Sequence, residues 1–150
     1  MSLNAVPHLN FHGQARAALE FYRSVFGGQL TVITYGDFGM PAEVPGAQNV
    51  VFGEVVAESG FRVMAYDVPG TDEPIADAVT TRRENGTTIT EEPFFLSVRG
   101  ESVDEVAPIW DGLADGASVI EKFGPARWAP AFGMLADRFG VTWIVDVAQV

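Results

Sequence analysis

The two histidines, His8 and His12, stand four residues apart in the segment Pro7-His8-Leu9-Asn10-Phe11-His12-Gly13. Imidazole binds metals and carries protons near neutrality. A catalytic divalent ion with open positions needs about three or four convergent nitrogen or oxygen donors, so His8 requires partners from distant segments. His12, beside a glycine in a turn, reads as solvated. A carboxylate pair such as Glu54 and Asp67 has the chemistry for acid and base work, although alternation alone leaves the face of Glu54 open. Ser97 and Ser102 have no histidine and acid assignable as partners in a nucleophilic triad. Gly27-Gly28 is a helix stop and not a phosphate cradle, because no Lys-Ser or Lys-Thr follows and no helix begins there. Cysteine is absent, which removes thiolate chemistry, thiolate metal sites and disulfides.

The other chemical resource is aromatic and sulfur surface, from 11 Phe, 3 Trp, 3 Tyr and 4 Met. Tyr35, Phe52, Met64, Tyr66, Trp128, Phe132, Met134 and Trp143 fall largely on segments that read as strands. Any one of them is more simply a core residue, since large apolar side chains bury against each other. Strand alternation sends about half of such residues to each face of a sheet. A pocket lined by the remainder favours a flat or apolar small molecule, oriented by polar groups such as His8, Asn10 or Tyr66.

These residues are positioned by a pattern that occurs twice. Residues 6–11 read as a strand, and residues 14–26 as an amphipathic helix with apolar positions at Ala15, Ala18, Leu19, Tyr22, Val25 and Phe26. Gly27-Gly28 ends that helix. Residues 30–35, 49–57 and 61–67 then read as strands, with Ser59-Gly60 as the last turn. Residues 68–93 are polar and turn-rich, marked by Pro69-Gly70 and Asn85-Gly86, and read as a connection or a mobile flap. A strand follows over 94–99. Ser102 and Glu105 form a capping box for a helix to about Ala114, in which Pro108 predicts a kink or a shortening. Strands over 118–123, 131–136 and 141–147 complete the second set. The sequence therefore predicts one domain over 1–150, made of two βαβββ modules at about 1–68 and 93–150.

A chain of this length buries roughly two thirds of its unfolded surface and needs no staples. Its formal charge of −11, spread along the chain, repels phosphate backbones and argues against nucleic acid. No stretch approaches the roughly 20 apolar residues of a membrane span, and no basic-then-apolar leader opens the chain. The expected location is the cytoplasm.

Three groups of residues carry a resemblance. They are Pro7–Gly13 with Ala18-Leu-Glu-Phe-Tyr22 and Phe26-Gly-Gly28, then Val63-Met-Ala-Tyr-Asp67, then Arg127-Trp-Ala-Pro-Ala-Phe-Gly133 with Asp137-Arg-Phe-Gly-Val-Thr-Trp143. In this order and spacing the chain resembles the PhnB-like branch of the glyoxalase/bleomycin-resistance protein/dioxygenase (vicinal oxygen chelate) superfamily. The resemblance implies an α+β fold, with paired βαβββ modules forming a cup-shaped open barrel of the glyoxalase/bleomycin-resistance/dihydroxybiphenyl dioxygenase type. It also implies a homodimer, and a cup holding either a metal and substrate or a drug without metal. His8 or Asn10 stands where a first-strand ligand is expected, but Phe52, Phe95 and Ile144 occupy the other ligand positions and cannot coordinate. No glycine-rich loop joins a strand to a helix, which argues against a nucleotide-like methyl donor.

The resulting expectation is a small-molecule-binding protein with no metal or other cofactor, acting by sequestration or sensing. Its candidate binding residues are His8, Asn10, Tyr35, Phe52, Met64, Tyr66, Trp128, Phe132 and Trp143. The alternative is a metal-dependent lyase or dioxygenase of the same superfamily using His8. A dimerisation module without a ligand is the third reading.

Overall fold

The computed structural model describes residues 3–70, 73 and 80–148. The chain divides into two compact units, Met1–Ala76 and Asp77–Val150, each holding one βαβββ module. In the first, β1 (His8–Phe11), α1 (Ala15–Phe26), β2 (Gln29–Thr34), β3 (Val50–Val56) and β4 (Arg62–Asp67) follow in sequence. Of the predicted stripe the helix buries Ala15, Ala18, Leu19 and Tyr22, while Val25 and Phe26 near its end are half-buried. It stops at Gly27, whose φ of 77° suits a residue without Cβ. Gly28 is needed for a second reason: a Cβ there would collide with the Val56 carbonyl.

The sheet order is β1-β4-β3-β2, with β1 parallel to β4 and the remaining pairs antiparallel. One face of this open sheet packs on α1. There a Cβ on Gly53 would collide with Leu19 Cδ1, so the glycine lets the helix approach the strand. Leu9, Phe11, Val55, Val63, Ala65 and Asp67 are buried on the same side. The two faces alternate along each strand, so the intervening residues point away from the helix.

The second unit repeats the order with β7 (Leu96–Gly100), α2 (Val103–Ala114), β8 (Ser118–Ala126), β9 (Ala129–Ala136) and β10 (Thr142–Val147). Its sheet runs β7-β10-β9-β8, again with the first strand parallel to the last. Phe52-Gly53 in β3 has its counterpart in Phe132-Gly133 of β9, and a Cβ on Gly133 would lie 2.8 Å from the Trp110 ring of α2. The turns into the last strands also match. The Gly60 amide donates to the Ala57 carbonyl, and the Gly140 amide to that of Asp137.

Several expectations need correction. The Ser102 hydroxyl accepts from the Glu105 amide, and the Glu105 carboxylate accepts from Glu101 in place of the cap residue itself. Pro108 does not shorten α2, which has the same 12 residues as α1. The proline lies on the exposed side, where the Asp104 carbonyl it leaves unbonded meets water. β8 and β9 run to a turn at Arg127-Trp128, longer than the predicted 118–123 and 131–136, with register shifts absorbing the irregularity. Phe94 and Phe95 precede β7 instead of opening it, and Phe94 is exposed.

The stretch 68–93 is not structureless. It contains a hairpin of β5 (Arg82–Glu84) and β6 (Thr87–Ile89) around Asn85-Gly86, whose φ values of 52° and 77° are those of a two-residue primed turn. Part of the same stretch lies outside the described residues.

Candidate functional site

The side of the first sheet away from α1 gathers most of the expected binding residues. Cross-strand pairing sets His8 beside Met64, Asn10 beside Tyr66, and Ile33 beside Phe52, with Glu54 on the other flank of Met64. His8 and Asn10 are exposed, whereas Phe52, Met64 and Tyr66 are half-buried. The His8 Nδ1 is 3.1 Å from Asn10 Oδ1, and its ring stands edge-on to Tyr66 at 5.4 Å. Glu54 is 3.7 Å from the Arg62 guanidinium. The surface is therefore apolar in the middle, with an imidazole, an amide and a phenol along one edge.

Tyr35 lies past the end of β2 and is half-buried. Its hydroxyl donates to the Asp67 carbonyl at 2.6 Å. Burial, then the neighbouring Tyr66 and Asp67, push the Tyr35 phenol above its ordinary pKa. With Met40, Pro45, Asn49 and Pro69 it lines a cavity of about 240 Å³.

Asp67 is not an acid–base partner of Glu54. Its side chain is buried on the helix side, while Glu54 belongs to the opposite face. One Asp67 oxygen accepts from the amides of Gly13 and Ala15, at 2.8 and 3.0 Å, and the other accepts from Val50 at 2.8 Å. The carboxylate ties the turn before α1, the start of β3 and the end of β4 together.

In the second unit Ser97, Arg99, Phe132, Met134, Ile144 and Asp146 share the face away from α2. Arg99 grips Asp146 through two hydrogen bonds of 3.0 and 2.9 Å, and this partner raises the guanidinium pKa further. Trp128 is 45 % exposed in its turn and meets Phe132 edge-on at 5.1 Å. The β5–β6 hairpin closes over these rings. Arg83 Cζ lies 5.6 Å from the Trp128 ring centre and 5.3 Å from that of Phe132. Thr88 Oγ1 lies 3.6 Å from Met134 Sδ. Glu92 accepts from Thr81 and Thr142, pinning the hairpin's base to β10.

Trp143 does not belong with the binding residues. It faces α2, is 1 % exposed, and donates from Nε1 to Asp137 Oδ2 at 2.9 Å. Nearly every residue of β10 is buried, so alternation of residue types could not reveal which way Trp143 points. Arg83 was absent from the expected binding residues. Its signal was legible in Asn85-Gly86, which makes a hairpin, and in the alternation that separates Arg83 from Arg82 and Glu84.

The donors in either module, taken alone, do not fit a divalent ion. His8 and Glu54 lie on opposite flanks of Met64, roughly two strand spacings or about 10 Å apart along the sheet. Phe52 and Ile144 face the open sides without a donor atom, and Asp146 is occupied by Arg99. Among the described residues no three His, Asp or Glu side chains gather as a metal site. No helix among them is long and apolar enough to cross a membrane.

The duplicated βαβββ order invites comparison with known proteins. Protein YjdN of Escherichia coli (strain K12) is 24% identical over 144 residues, spanning 95% of this chain and 94% of that protein. The crystal structure of protein PA1353 from Pseudomonas aeruginosa is 32% identical, with a TM-score of 0.75 over 99% of this chain and 100% of that one. A Bacillus cereus PhnB protein, described as a putative 3-demethylubiquinone-9 3-methyltransferase, is 22% identical with a TM-score of 0.67, covering 97% of this chain and 100% of its own; at that identity it speaks to the fold alone. The family model for the Glyoxalase/Bleomycin resistance protein/Dioxygenase superfamily matches residues 6–145. With nearly its whole length matched and both modules built in the same order, the chain belongs to the glyoxalase/bleomycin resistance protein/dioxygenase superfamily.

Proposed function

We propose that this protein binds a small, largely apolar or aromatic molecule on the open faces of its sheets, without a superfamily metal, and acts by sequestration or sensing. The observation that carries this reading is the surface of Phe52, Met64 and Tyr66 edged by His8 and Asn10. Half-buried aromatics beside a few polar groups are the ordinary make-up of a small-molecule site. In the second module the exposed ring is that of Trp128, since Phe132 is buried beneath the hairpin. The protein is proposed to work in the cytoplasm as a homodimer, and a monomer in sedimentation at micromolar concentration would count against the assembly.

Elemental analysis of purified, tag-free protein, followed by calorimetric titration with Ni²⁺, Zn²⁺, Mn²⁺ and Fe²⁺, comes first. The expected result is no stoichiometric metal and no tight binding. Tight one-to-one metal would overturn the metal-free reading and direct assays to lyase and dioxygenase chemistry. A panel of aromatic ligands and drugs, followed by amide shifts in heteronuclear NMR, then tests the surface. Shifts centred on His8, Phe52 and Tyr66 are expected, and a panel that moves none of these would remove the reading's main support.

A further inference from the structure

Of the chain's eight arginines, Arg62, Arg82, Arg99 and Arg138 each hold a carboxylate oxygen within 4.0 Å. Arg83 is treated differently, although acids outnumber bases by 20 to 9 in this chain. In β5 its neighbours Arg82 and Glu84 pair with each other at 2.6 Å on the outer side of the hairpin. Arg83 points the opposite way, beside its cross-strand partner Thr88, whose Oγ1 accepts from a terminal guanidinium nitrogen at 2.9 Å. The charge rests against the Phe132 and Trp128 rings, and among the described residues it has no carboxylate partner. Its Nε is buried with no hydrogen-bond partner among the described residues.

A guanidinium carries five N–H donors and no acceptor, so this buried N–H needs an oxygen from outside the side chain. A desolvated donor without an acceptor is costly, and native proteins leave few of them. The flanking rings stabilise the charge through their π faces but supply no acceptor to Nε. What fits the unmet donor is a planar anion that reaches it as the β5–β6 hairpin shifts aside, because Nε and a terminal nitrogen together form the fork that a carboxylate takes with both oxygens. Beside that fork lies the partly exposed indole of Trp128, a surface for a flat apolar body.

We propose that the second module binds organic acids: a flat apolar body against Trp128, with its carboxylate held by Arg83. This inference rests on the small-molecule reading above and specifies its ligand class. It assigns the hairpin a recognition role, with Thr88 orienting the guanidinium and the Glu92 contacts fixing the hairpin's base.

The test uses the full chain with 1-naphthoate, its neutral amide 1-naphthamide, and acetate, measured by calorimetry. The Nε–H resonance of Arg83 is followed in ¹⁵N NMR spectra. The acid should bind at least about tenfold more tightly than the amide, and acetate more weakly than either, since each lacks one half of the recognition. The Arg83 Nε–H signal should move with naphthoate and stay still with the amide. In Arg83→Met the preference for the acid should fall to within about twofold, and Arg83→Lys, charged but without the fork, should lie between. Equal binding of acid and amide by the unaltered protein, or an unmoved Nε–H signal, overturns the inference while the broader ligand-binding reading stands. Failure of all three probes to bind would likewise overturn the inference, whereas the broader reading falls only if the wider ligand panel also leaves His8, Phe52 and Tyr66 unmoved. Should Arg83→Met lose its fold by circular dichroism, Arg83→Lys and the Nε–H signal of the unaltered protein decide the matter.

Discussion

Asp67 shows how one residue type can mislead when read without its surroundings. A carboxylate in an aromatic-rich chain suggests chemistry, yet here its oxygens accept three backbone amides inside the first module. Removing a buried acceptor leaves its donors unmet, which costs more than the bonds contribute net. Asp67→Ala should therefore lower stability by about 3 kcal/mol in urea denaturation. Asp67→Asn should also destabilise, since its amide group cannot accept from every donor. A loss for the alanine variant below about 0.5 kcal/mol would show that these bonds add little net stability. The face of Asp67 was not legible because the same short strand carries Tyr66 and Asp67 on opposite sides, and only pairing with β1 and β3 decides which side meets the helix.

Helices and turns were easier to read than strand faces. The α1 stripe, the Gly27-Gly28 stop and the Ser102 cap each follow from local geometry, and the structure places them as read. Strand limits in β8 and β9 were obscured because Pro125 and Pro130 interrupt the apolar pattern. The paired glycines of the central strands were visible as letters, but their purpose depends on the helix packed above them. Gly53 faces chiefly the flexible tip of Leu19, with the Ala65 carbonyl farther off at 3.2 Å, whereas Gly133 faces the rigid ring of Trp110 at 2.8 Å and the Phe123 backbone at 3.0 Å. Leucine can turn aside where an indole and a main chain cannot. Gly133→Ala should accordingly cost about 2–3 kcal/mol and Gly53→Ala about 1–2 kcal/mol, as measured by urea unfolding. Equal costs, or the reverse order, would show that the two helices are not held to their sheets in the same way.

For the whole chain, the duplicated order was legible while the chemistry was only partly so. His8, Asn10, Phe52, Met64 and Tyr66 share a face because they fall on alternate positions of paired strands. Trp143 failed the same reasoning because its strand is buried on both sides. The excess of acids acts on the molecule as a unit. A formal charge of −11 makes the compact state repel itself, and salt shortens the range of that repulsion. Raising NaCl from about 10 mM, where the screening length is about 30 Å, to about 300 mM should raise the melting temperature by several degrees. A flat or falling melting temperature would mean that favourable ion pairs outweigh the surplus.

The parallel edge strands also set a schedule. β2 pairs with β3 and β3 with β4, each as soon as its successor is made, but β1 has no partner until β4 exists, and β7 none until β10. On the ribosome, His8 to Phe11 emerge roughly 50 residues ahead of the strand they join, a wait of about 3–10 s at ordinary rates of synthesis. Over that interval Leu9 and Phe11 have no sheet to shelter them. The first strand of each module is thus the earliest part made and the last part placed.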